Sequence, residues 1–380
     1  MRTRTLVLTA FFSAACSDAS GPTVTPRWPS ISAGISHTCA LDDAGRAYCW
    51  GSDGVGQLGD GPSGDGTSRA QPAPVVSQVQ FAMISAHGAT TCGITTSGRV
   101  YCWGDNTFGQ LGIGDATIPH VSSPEPVAAD VRLTSISVGP IHVCAIATTG
   151  AAFCWGDNVA GQTGTGPTAQ QLFAPTAVSS DLRFSAISAG RGFTCAVATG
   201  GAAYCWGYGV SGQLGAGTAP LIREVPTPVA GDYRFRLVSA GDSHACGLTL
   251  AGGGLCWGRG GALGIDASGD RPAPVAVHGD VSFISIGAGS FFSCGTAKNG
   301  AGLCWGGSAE GALGSALTLY NATPLVVDGG HTFSTIATGM RHACGVTTIG
   351  AAYCWGANDA GQLGDGTTMR RTIPTSVVLP

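Results

Sequence analysis

Residues 351–356 read "AAYCWG", and the Cys-Trp-Gly within them decides how the whole chain is organised. The same tripeptide starts at positions 49, 102, 154, 205, 256, 304 and 354, so the spacings run from 48 to 53 residues. A fixed period of this size is typical of repeat architectures and has to be interpreted before any other signal. The 380-residue chain therefore contains seven copies of one unit, which begin near Ile31 and run to the C-terminus.

The cysteines share a spacing that predicts a hairpin in every copy. Fourteen of the fifteen cysteines form seven pairs ten residues apart, and the residue after each midpoint is glycine. A three-residue hairpin loop favours a left-handed last residue, which glycine adopts without strain. In that register the paired cysteines lie opposite each other, within reach of a disulfide. The pairs are Cys39 with Cys49, Cys92 with Cys102, Cys144 with Cys154, Cys195 with Cys205, Cys246 with Cys256, Cys294 with Cys304, and Cys344 with Cys354.

Two other roles for these cysteines have to be weighed against disulfides. Free cysteine is often a small buried hydrophobic residue, so the pairs could also be unbonded thiols in a core. A signal for export would favour disulfides, because they persist in oxidising compartments. Metal ligation needs clustered ligands, and this spacing lacks a histidine at a fixed offset in every copy, so no metal site is predicted.

One copy, residues 81–127, gives the strand pattern of the unit. "FAMISA" (81–86) alternates apolar residues, and "TTCGIT" (90–95), "RVYCWG" (99–104) and a segment around "PEPVA" (124–128) follow between turn-rich stretches. Four short strands per copy predict an all-β fold, a seven-bladed β-propeller. A stacked solenoid would need atypical capping repeats, whereas the first and last copies resemble the others.

The chain ends suggest how such a ring would close. "IPTSVVLP" (373–380) matches the strand that precedes "FxxISAG" elsewhere, and "WPSISAG" (28–34) lacks a preceding strand of this kind. We therefore expect the N- and C-terminal segments to pair within one blade, which would hide the sheet edges.

The N-terminal segment has the features of an export signal. Arg2 and Arg4 precede the apolar run "LVLTAFF" (6–12), and three small residues lead to Cys16. Residues 1–16 are thus predicted to be a signal peptide, and Cys16 resembles the lipid-modified cysteine of bacterial lipoproteins, although Ser13 stands where leucine is usual. The alternative is that Cys16 is removed with the signal. Residues 17–30 are small, polar and proline-bearing, as in a flexible tether, and 31–380 form the propeller.

Composition excludes several classes of function. Only 11% of residues are charged, the formal net charge is −4, and Lys298 is the single lysine. This offers no basic stripe for phosphates, so nucleic-acid binding is not predicted. The three glutamates, Glu125, Glu224 and Glu310, occupy separate copies and are poor material for paired-carboxylate catalysis.

Other conspicuous residues are also better explained by structure than by chemistry. His37, His142, His244 and His342 all precede the first cysteine of a pair by two positions, which favours an architectural role. The Asp-Asn pairs at 105–106 and 157–158 suit tight turns and lack the ligand density of a calcium site. We therefore expect a non-enzymatic protein without cofactor or metal.

The stretches "YCWGDNTFGQLGIG" (101–114), "FCWGDNVAGQTGTG" (153–166) and "YCWGANDAGQLGDG" (353–366) resemble the regulator of chromosome condensation repeat. The resemblance covers the chain after residue 30 and implies a seven-bladed propeller. Copies five and six depart from it, because "RGGALG" (259–264) and "SAEGALG" (308–314) lack the glutamine of the other copies. The family's best-known member is a nucleotide-exchange factor for a nuclear GTPase, and nothing here matches its projecting loop. An export signal places the chain nearer a bacterial exported branch, which includes an inhibitor of β-lactamases.

The residues that vary among copies predict where a partner binds. In an up-and-down blade, the turns after the first and third strands lie on the same face of the ring, and both vary here, whereas the opposite hairpin turn is uniform. Varied loops on a uniform framework commonly build binding surfaces, although loops also drift. The residues of types that anchor interfaces are Phe108, Arg191, Tyr208, Arg259, Phe291 and Arg341.

Together these features predict an exported, monomeric binding or scaffolding module at the cell envelope, membrane-associated only through Cys16, with a protein partner on one ring face. The alternatives are an inhibitor of a secreted enzyme and an exchange-factor-like activator. The latter would require a cytoplasmic location and reduced thiols.

Overall fold

The computed structural model describes residues 27–61, 66–167, 170–307, 310–316 and 320–379. This part of the chain forms twenty-eight strands and no helix. Each set of four consecutive strands makes one antiparallel sheet, and seven such sheets form the predicted seven-bladed β-propeller. The short strands follow from alternating apolar residues that are interrupted every few positions by glycine-rich turns.

The blades are numbered in chain order. Blade 1 contains β1 (Ser30–Ala33), β2 (His37–Leu41), β3 (Ala47–Gly51) and β4 (Arg69–Pro74). Blade 2 contains β5 (Phe81–His87), β6 (Thr90–Thr95), β7 (Val100–Asp105) and β8 (His120–Pro126). Blade 3 contains β9 (Leu133–Val138), β10 (His142–Ala147), β11 (Ala152–Asp157) and β12 (Gln171–Ala177). Blade 4 contains β13 (Phe184–Ala189), β14 (Phe193–Ala198), β15 (Ala203–Tyr208) and β16 (Ile222–Pro228). Blade 5 contains β17 (Phe235–Ala240), β18 (His244–Thr249), β19 (Gly254–Gly258) and β20 (Arg271–Ala276). Blade 6 contains β21 (Phe283–Ala288), β22 (Phe292–Ala297), β23 (Gly302–Gly307) and β24 (Tyr320–Val326). Blade 7 contains β25 (Phe333–Thr338), β26 (His342–Thr347), β27 (Ala352–Gly356) and β28 (Arg371–Ser376).

The strand predictions for residues 81–127 are confirmed for the first three strands. The fourth strand, β8, begins at His120, four residues earlier than the predicted segment. The ladder between β7 and β8 starts at this residue, because His120 pairs with Asp105, the last residue of β7.

The central hairpin of every blade has the predicted register. The two cysteines of each pair lie directly opposite, and all seven pairs are joined as disulfides with Cα atoms 4.1 Å apart. The glycine that closes each hairpin has φ between +75° and +91°, the left-handed conformation that the loop requires. Turn chemistry and cysteine pairing thus specify the same register.

One tryptophan per blade fills the space between that blade and the one before it. The side chains are fully buried, and each indole N–H donates to a backbone carbonyl of the preceding blade at 2.9–3.1 Å. These residues are packing anchors between blades, and the carbonyl acceptor keeps the buried indole N–H from being unpaired. They are Trp50, Trp103, Trp155, Trp206, Trp257, Trp305 and Trp355.

The first strands of the blades surround a small central channel of about 240 Å³. Serine hydroxyls there accept backbone N–H groups of the next blade; for example, Ser188 accepts from Ala240 at 3.0 Å. The same contact is made from Ser32, Ser85, Ser137 and Ser239. Gly287 and Ala337 occupy this position in blades 6 and 7, so the contact is absent there.

The ring closes differently from the prediction. The expectation that the two terminal segments share one blade is wrong, because β1 is the first strand of blade 1 and β28 completes blade 7. The segment that precedes "FxxISAG" elsewhere is the outer strand of the preceding blade, so no strand is missing. Closure instead comes from contacts between complete blades: Trp50 donates to the carbonyl of Gln362, and Trp28 N–H donates to the carbonyl of Gly350.

The boundary between tether and propeller also needs correction. Trp28, predicted to lie in the tether 17–30, is only 1% exposed, and its ring centroid lies 6.2 Å from that of Trp50. It takes the position that phenylalanine holds in five of the other six blades and Leu133 holds in blade 3, so the folded part includes at least Trp28. The predicted signal peptide and Cys16 lie outside the described residues.

Candidate binding face

The two variable turns of every blade lie on one face, as the up-and-down topology predicts. In all seven blades the second residue of the first turn accepts, through its carbonyl, the N–H of the residue two after tryptophan, at 2.7–3.0 Å. Tyr208 N–H, for instance, donates to Gly192, and Arg259 N–H donates to Ser243. We call the surface formed by these first turns and by the loops after the third strands the variable face.

Glutamine braces the loop after the third strand in five blades. Its side-chain carbonyl accepts the N–H of the residue two positions earlier at 2.8–3.0 Å, and the side chain is at most 3% exposed. Gln110 also donates to the carboxylate of Asp105 at 2.9 Å. The bracing residues are Gln57, Gln110, Gln162, Gln213 and Gln362.

Blades 5 and 6 lack this brace, and a pocket opens between them. Ala262 and Ala312 replace the glutamine, and Ala262 follows Trp257 by five positions, whereas each glutamine follows its tryptophan by seven. Beside Ala262 lies a cavity of about 210 Å³. We call it the blade 5/6 pocket; its lining includes Arg259, Ala262, Ser290, Phe291 and Tyr320. The departure of copy five from the repeat therefore shortens its loop and accompanies a local change of shape.

Two of the six predicted binding residues meet in this pocket. The Arg259 guanidinium carbon lies 5.7 Å from the centroid of the Phe291 ring, within cation–π range. Phe291 and Tyr320, which also line the pocket, are 57% and 56% exposed. Sequence reasoning missed Tyr320, since it belongs to the outer strand β24 rather than to a variable turn. The lost glutamine was the available signal.

The other four predicted residues lie in blades 2, 4 and 7 and do not line this pocket. Arg341 bonds Glu310 at 3.0 Å and Asp359 at 3.3 Å, so it joins blades 6 and 7. Arg191 approaches Asp242 of the next blade at 3.7 Å. Tyr208 is exposed at the end of β15, and Phe108 is half-buried on the blade 2 loop.

The four repeated histidines are buried between blades rather than exposed on the variable face. The Nε2 atom of each lies 2.7–2.9 Å from a threonine or serine hydroxyl of the next blade. That hydroxyl donates to a backbone carbonyl, for example from Thr194 to Gln162 at 2.8 Å. Since the carbonyl can only accept, the hydroxyl hydrogen is used and Nε2 must carry the ring proton. The pairs are His37 with Thr91, His142 with Thr194, His244 with Ser293, and His342 with Thr38.

Burial keeps these histidines neutral. It lowers the pKa of His37, His142 and His342 to about 3 and the pKa of His244 to about 4. The Nδ1 atoms of the first three have no hydrogen-bond partner among the described residues, so a second proton would be buried unpaired. Their role is to connect blades, which agrees with the architectural interpretation of the sequence.

The described part of the chain meets neither the requirements of a metal site nor those of a paired-carboxylate site at the positions that follow. No group of three or more histidine, cysteine, aspartate or glutamate side chains in it could hold a metal ion. The residues that line the central channel include His87 and several serines but no carboxylate. Within the same residues, no helix is long and apolar enough to span a bilayer.

These features define a seven-bladed β-propeller of the class that serves as a binding or regulatory module. The chain belongs to the regulator of chromosome condensation (RCC1) repeat family. One profile of this repeat matches residues 97–146, 149–197, 200–248 and 350–380, and a second matches 30–57, 133–162, 184–213 and 333–362.

Curated relatives and solved structures are consistent with this assignment. The ultraviolet-B receptor UVR8 of Arabidopsis thaliana is 32% identical over 58% of this chain and 51% of its own length. The probable E3 ubiquitin-protein ligase HERC4 of Homo sapiens is 31% identical over 53% of this chain but only 19% of its own length. The chain thus spans about half of the first relative and a fifth of the second.

Among solved structures, human WBSCR16 superimposes with a TM-score of 0.78 at 21% identity, covering 88% of this chain and 94% of that one. Prp20p of Saccharomyces cerevisiae, described with its binding to Gsp1p and histones, gives a TM-score of 0.73 at 22% identity, covering 82% and 80%. At this identity the likeness shows the fold.

Proposed function

We propose that this protein is an exported, non-catalytic binding module that engages a protein partner through the variable face. The observation that carries the proposal is the contrast between a uniform framework and varied loops. In each of the seven blades an equivalent backbone hydrogen bond joins the two variable loops on one side of the ring. A rigid support of this kind lets loops differ in sequence without loss of position. Relatives that bind proteins, such as Prp20p with Gsp1p and histones, support the same general use of the fold.

Export and anchoring form the second part of the proposal. Seven disulfides are compatible with an oxidising compartment. The basic, apolar and small-residue order of residues 1–16 supports a signal peptide, and a lipid on Cys16 would hold the propeller at the cell envelope. Alkylation of the exported protein without reductant should label none of the fourteen propeller cysteines, and Cys16→Ser should release it from the membrane fraction. Stoichiometric labelling would contradict the export proposal.

The binding proposal is tested with the exported chain as bait in a crosslinked capture from envelope extract. Candidates are identified by mass spectrometry, then purified and measured directly for affinity. The Tyr208→Ala/Arg259→Ala variant removes two exposed side chains of the variable face. Lys298→Ala is the matched control, because Lys298 is exposed beside the hairpin turn on the opposite face.

Affinity that falls at least about tenfold in the double variant and stays unchanged in Lys298→Ala would support the proposal. Equal affinity in all three proteins would rule out the variable face. Inhibition of a secreted enzyme would be a special case of the same function, and would appear as saturable loss of the partner's activity.

A further inference from the structure

The arginines of the variable face differ in whether their charge is satisfied within the protein. Arg341 bonds two carboxylates, and Arg191 faces Asp242. The Arg259 side chain has neither an ion pair nor a hydrogen bond with any described residue, and its guanidinium group lies against the Phe291 ring. The nearby Asp270 carboxylate accepts the N–H of Gly260 instead. Arg259 thus presents an exposed positive charge that the described residues leave unpaired.

The pocket beside Arg259 has the size and walls to hold one side chain. Its volume of about 210 Å³ is smaller than the ~300–1,000 Å³ of sites for drug-sized molecules. Phe291 and Tyr320 provide exposed aromatic walls, and Ala262 forms a buried, apolar part of the lining. A carboxylate at Arg259 would make charge-assisted hydrogen bonds while its carbon chain contacts the rings.

The pocket exists because of a specific loss. Ala262 occupies the backbone position of the bracing glutamine. Its carbonyl accepts the indole N–H of Trp305 and the hydroxyl of Ser293. The carbonyl of Gln57 accepts the same two groups from Trp103 and Thr91. A glutamine side chain at 262 would therefore enter the volume that is now empty. The residue two after tryptophan also changes, from Asp105 in blade 2 to Arg259 in blade 5, which replaces a negative charge by a positive one.

We propose that the blade 5/6 pocket receives an acidic side chain, flanked by an apolar residue, from an exposed loop of the protein partner. The inference rests on the proposed function and names the chemistry that the variable face recognises. Charge complementarity selects the acidic group, and the two aromatic walls select its apolar neighbour.

The test is random-peptide display on the disulfide-bonded propeller, followed by affinity measurement with the enriched synthetic peptides. We expect enrichment of peptides that carry aspartate or glutamate next to an apolar residue. Replacing that acid by its amide should weaken binding about tenfold or more, and high salt should weaken it as well. Ala262→Gln, which introduces the residue that five other blades have at this position, should weaken binding to a similar extent by filling the pocket. Arg259→Gln should do so by removing the charge.

Gln213→Ala is the matched control, because it changes the equivalent position of the neighbouring blade and should leave affinity within about twofold. Near-ultraviolet circular dichroism of each variant reports whether the propeller is intact. Enrichment without acidic residues, or affinity unchanged in both Ala262→Gln and Arg259→Gln, would overturn the pocket proposal. If the peptides are instead lost with Tyr208→Ala, the variable face still binds protein and only the pocket assignment fails.

Discussion

Four of the seven blade interfaces contain a buried histidine and three do not, and the residue on the facing blade differs accordingly. Wherever a blade has histidine, the next blade presents a hydroxyl to it. Wherever the histidine is absent, the facing residue is apolar. In these three interfaces the histidine position is held by Thr90, Phe193 and Phe292. The facing residues of the next blade are Val143, Ala245 and Ala343, respectively.

The difference shows that the buried histidine and the hydroxyl on the facing blade occur together or are both absent. In the polar kind, histidine, hydroxyl and carbonyl form one chain of hydrogen bonds in which every hydrogen has an acceptor. A partial set would leave a buried donor unpaired, which costs about 1–3 kcal/mol. The histidine and the hydroxyl are therefore coupled across neighbouring blades; they lie about fifty positions apart in the chain in three pairs and 304 apart in the pair that closes the ring.

Of the changes considered, lowering the pH should have the largest effect on the free energy of unfolding, and it should act only at the interfaces that contain histidine. The four histidines have folded-state pKa values of about 3 to 4, below the unfolded value of 6.5, so their stabilisation is present above pH 6.5 and is lost as pH falls. Between pH 7 and pH 5 each histidine should lower the free energy of unfolding by about 2 kcal/mol, because it binds a proton in the unfolded chain but not in the folded protein. Denaturant unfolding of the disulfide-bonded protein at pH 7, 6 and 5 measures this loss.

The converted variant His142→Phe/Thr194→Ala, which copies the blade 4/5 pair, should reduce the pH dependence by about one proton. Phe193→Leu changes an apolar interface and should leave the pH dependence unaltered. Equal slopes in both variants would mean that the histidines do not account for the acid response.

Thr194→Val should be the most damaging single change at a polar interface. Valine keeps the shape but removes the hydroxyl, so the buried Nε2–H of His142 loses its acceptor. We expect a loss of about 2–3 kcal/mol in the free energy of unfolding. The converted double variant should lose less than the sum of its single changes in a double-mutant cycle. Additive losses would show that the two residues are independent.

A smaller effect is expected where blade 6 meets blade 7, since neither the serine contact nor the histidine is present. Glu310 of blade 6 bonds Arg341 of blade 7 at 3.0 Å, and both side chains are partly exposed. Glu310→Gln should therefore cost only about 0.2–1 kcal/mol, and high salt should erase the difference from wild type. A salt-independent loss of several kcal/mol would show that this ion pair is the main bond between the two blades.

The smallest change should come from Ala245→Ser at an apolar interface. The new hydroxyl could donate to the carbonyl of Gln213, as the hydroxyl of Ser293 donates to that of Ala262. It would therefore not be left unpaired. We expect a shift within about 0.5 kcal/mol by denaturant unfolding. A loss as large as that of Thr194→Val would contradict the requirement for a complete chain, because here no donor is orphaned.

Much of this fold could be predicted because its signals are local. The ten-residue cysteine spacing and the glycine after its midpoint fix one hairpin, and repetition fixes the ring. The face of the variable turns follows from up-and-down topology. The identity of the binding residues stays a prediction.

Features that depend on neighbouring blades were not readable from one copy. The partner of His142 lies 52 residues away, and the sequence alone does not say which blade Thr194 faces. The role of Trp28 was hidden because tryptophan replaces the usual phenylalanine in a proline-bearing segment. Tyr320 reaches the blade 5/6 pocket from an outer strand, and only the three-dimensional arrangement reveals it.

The continuity of each blade has a consequence for how this chain could be rearranged. Six residues join the last strand of each blade to the first strand of the next, as 75–80 do between β4 and β5. Every sheet consists of four consecutive strands. The polypeptide could therefore be circularly permuted within any of these connecting segments without cutting a sheet. The order of the blades around the axis, rather than the position of the first residue, is what the fold conserves.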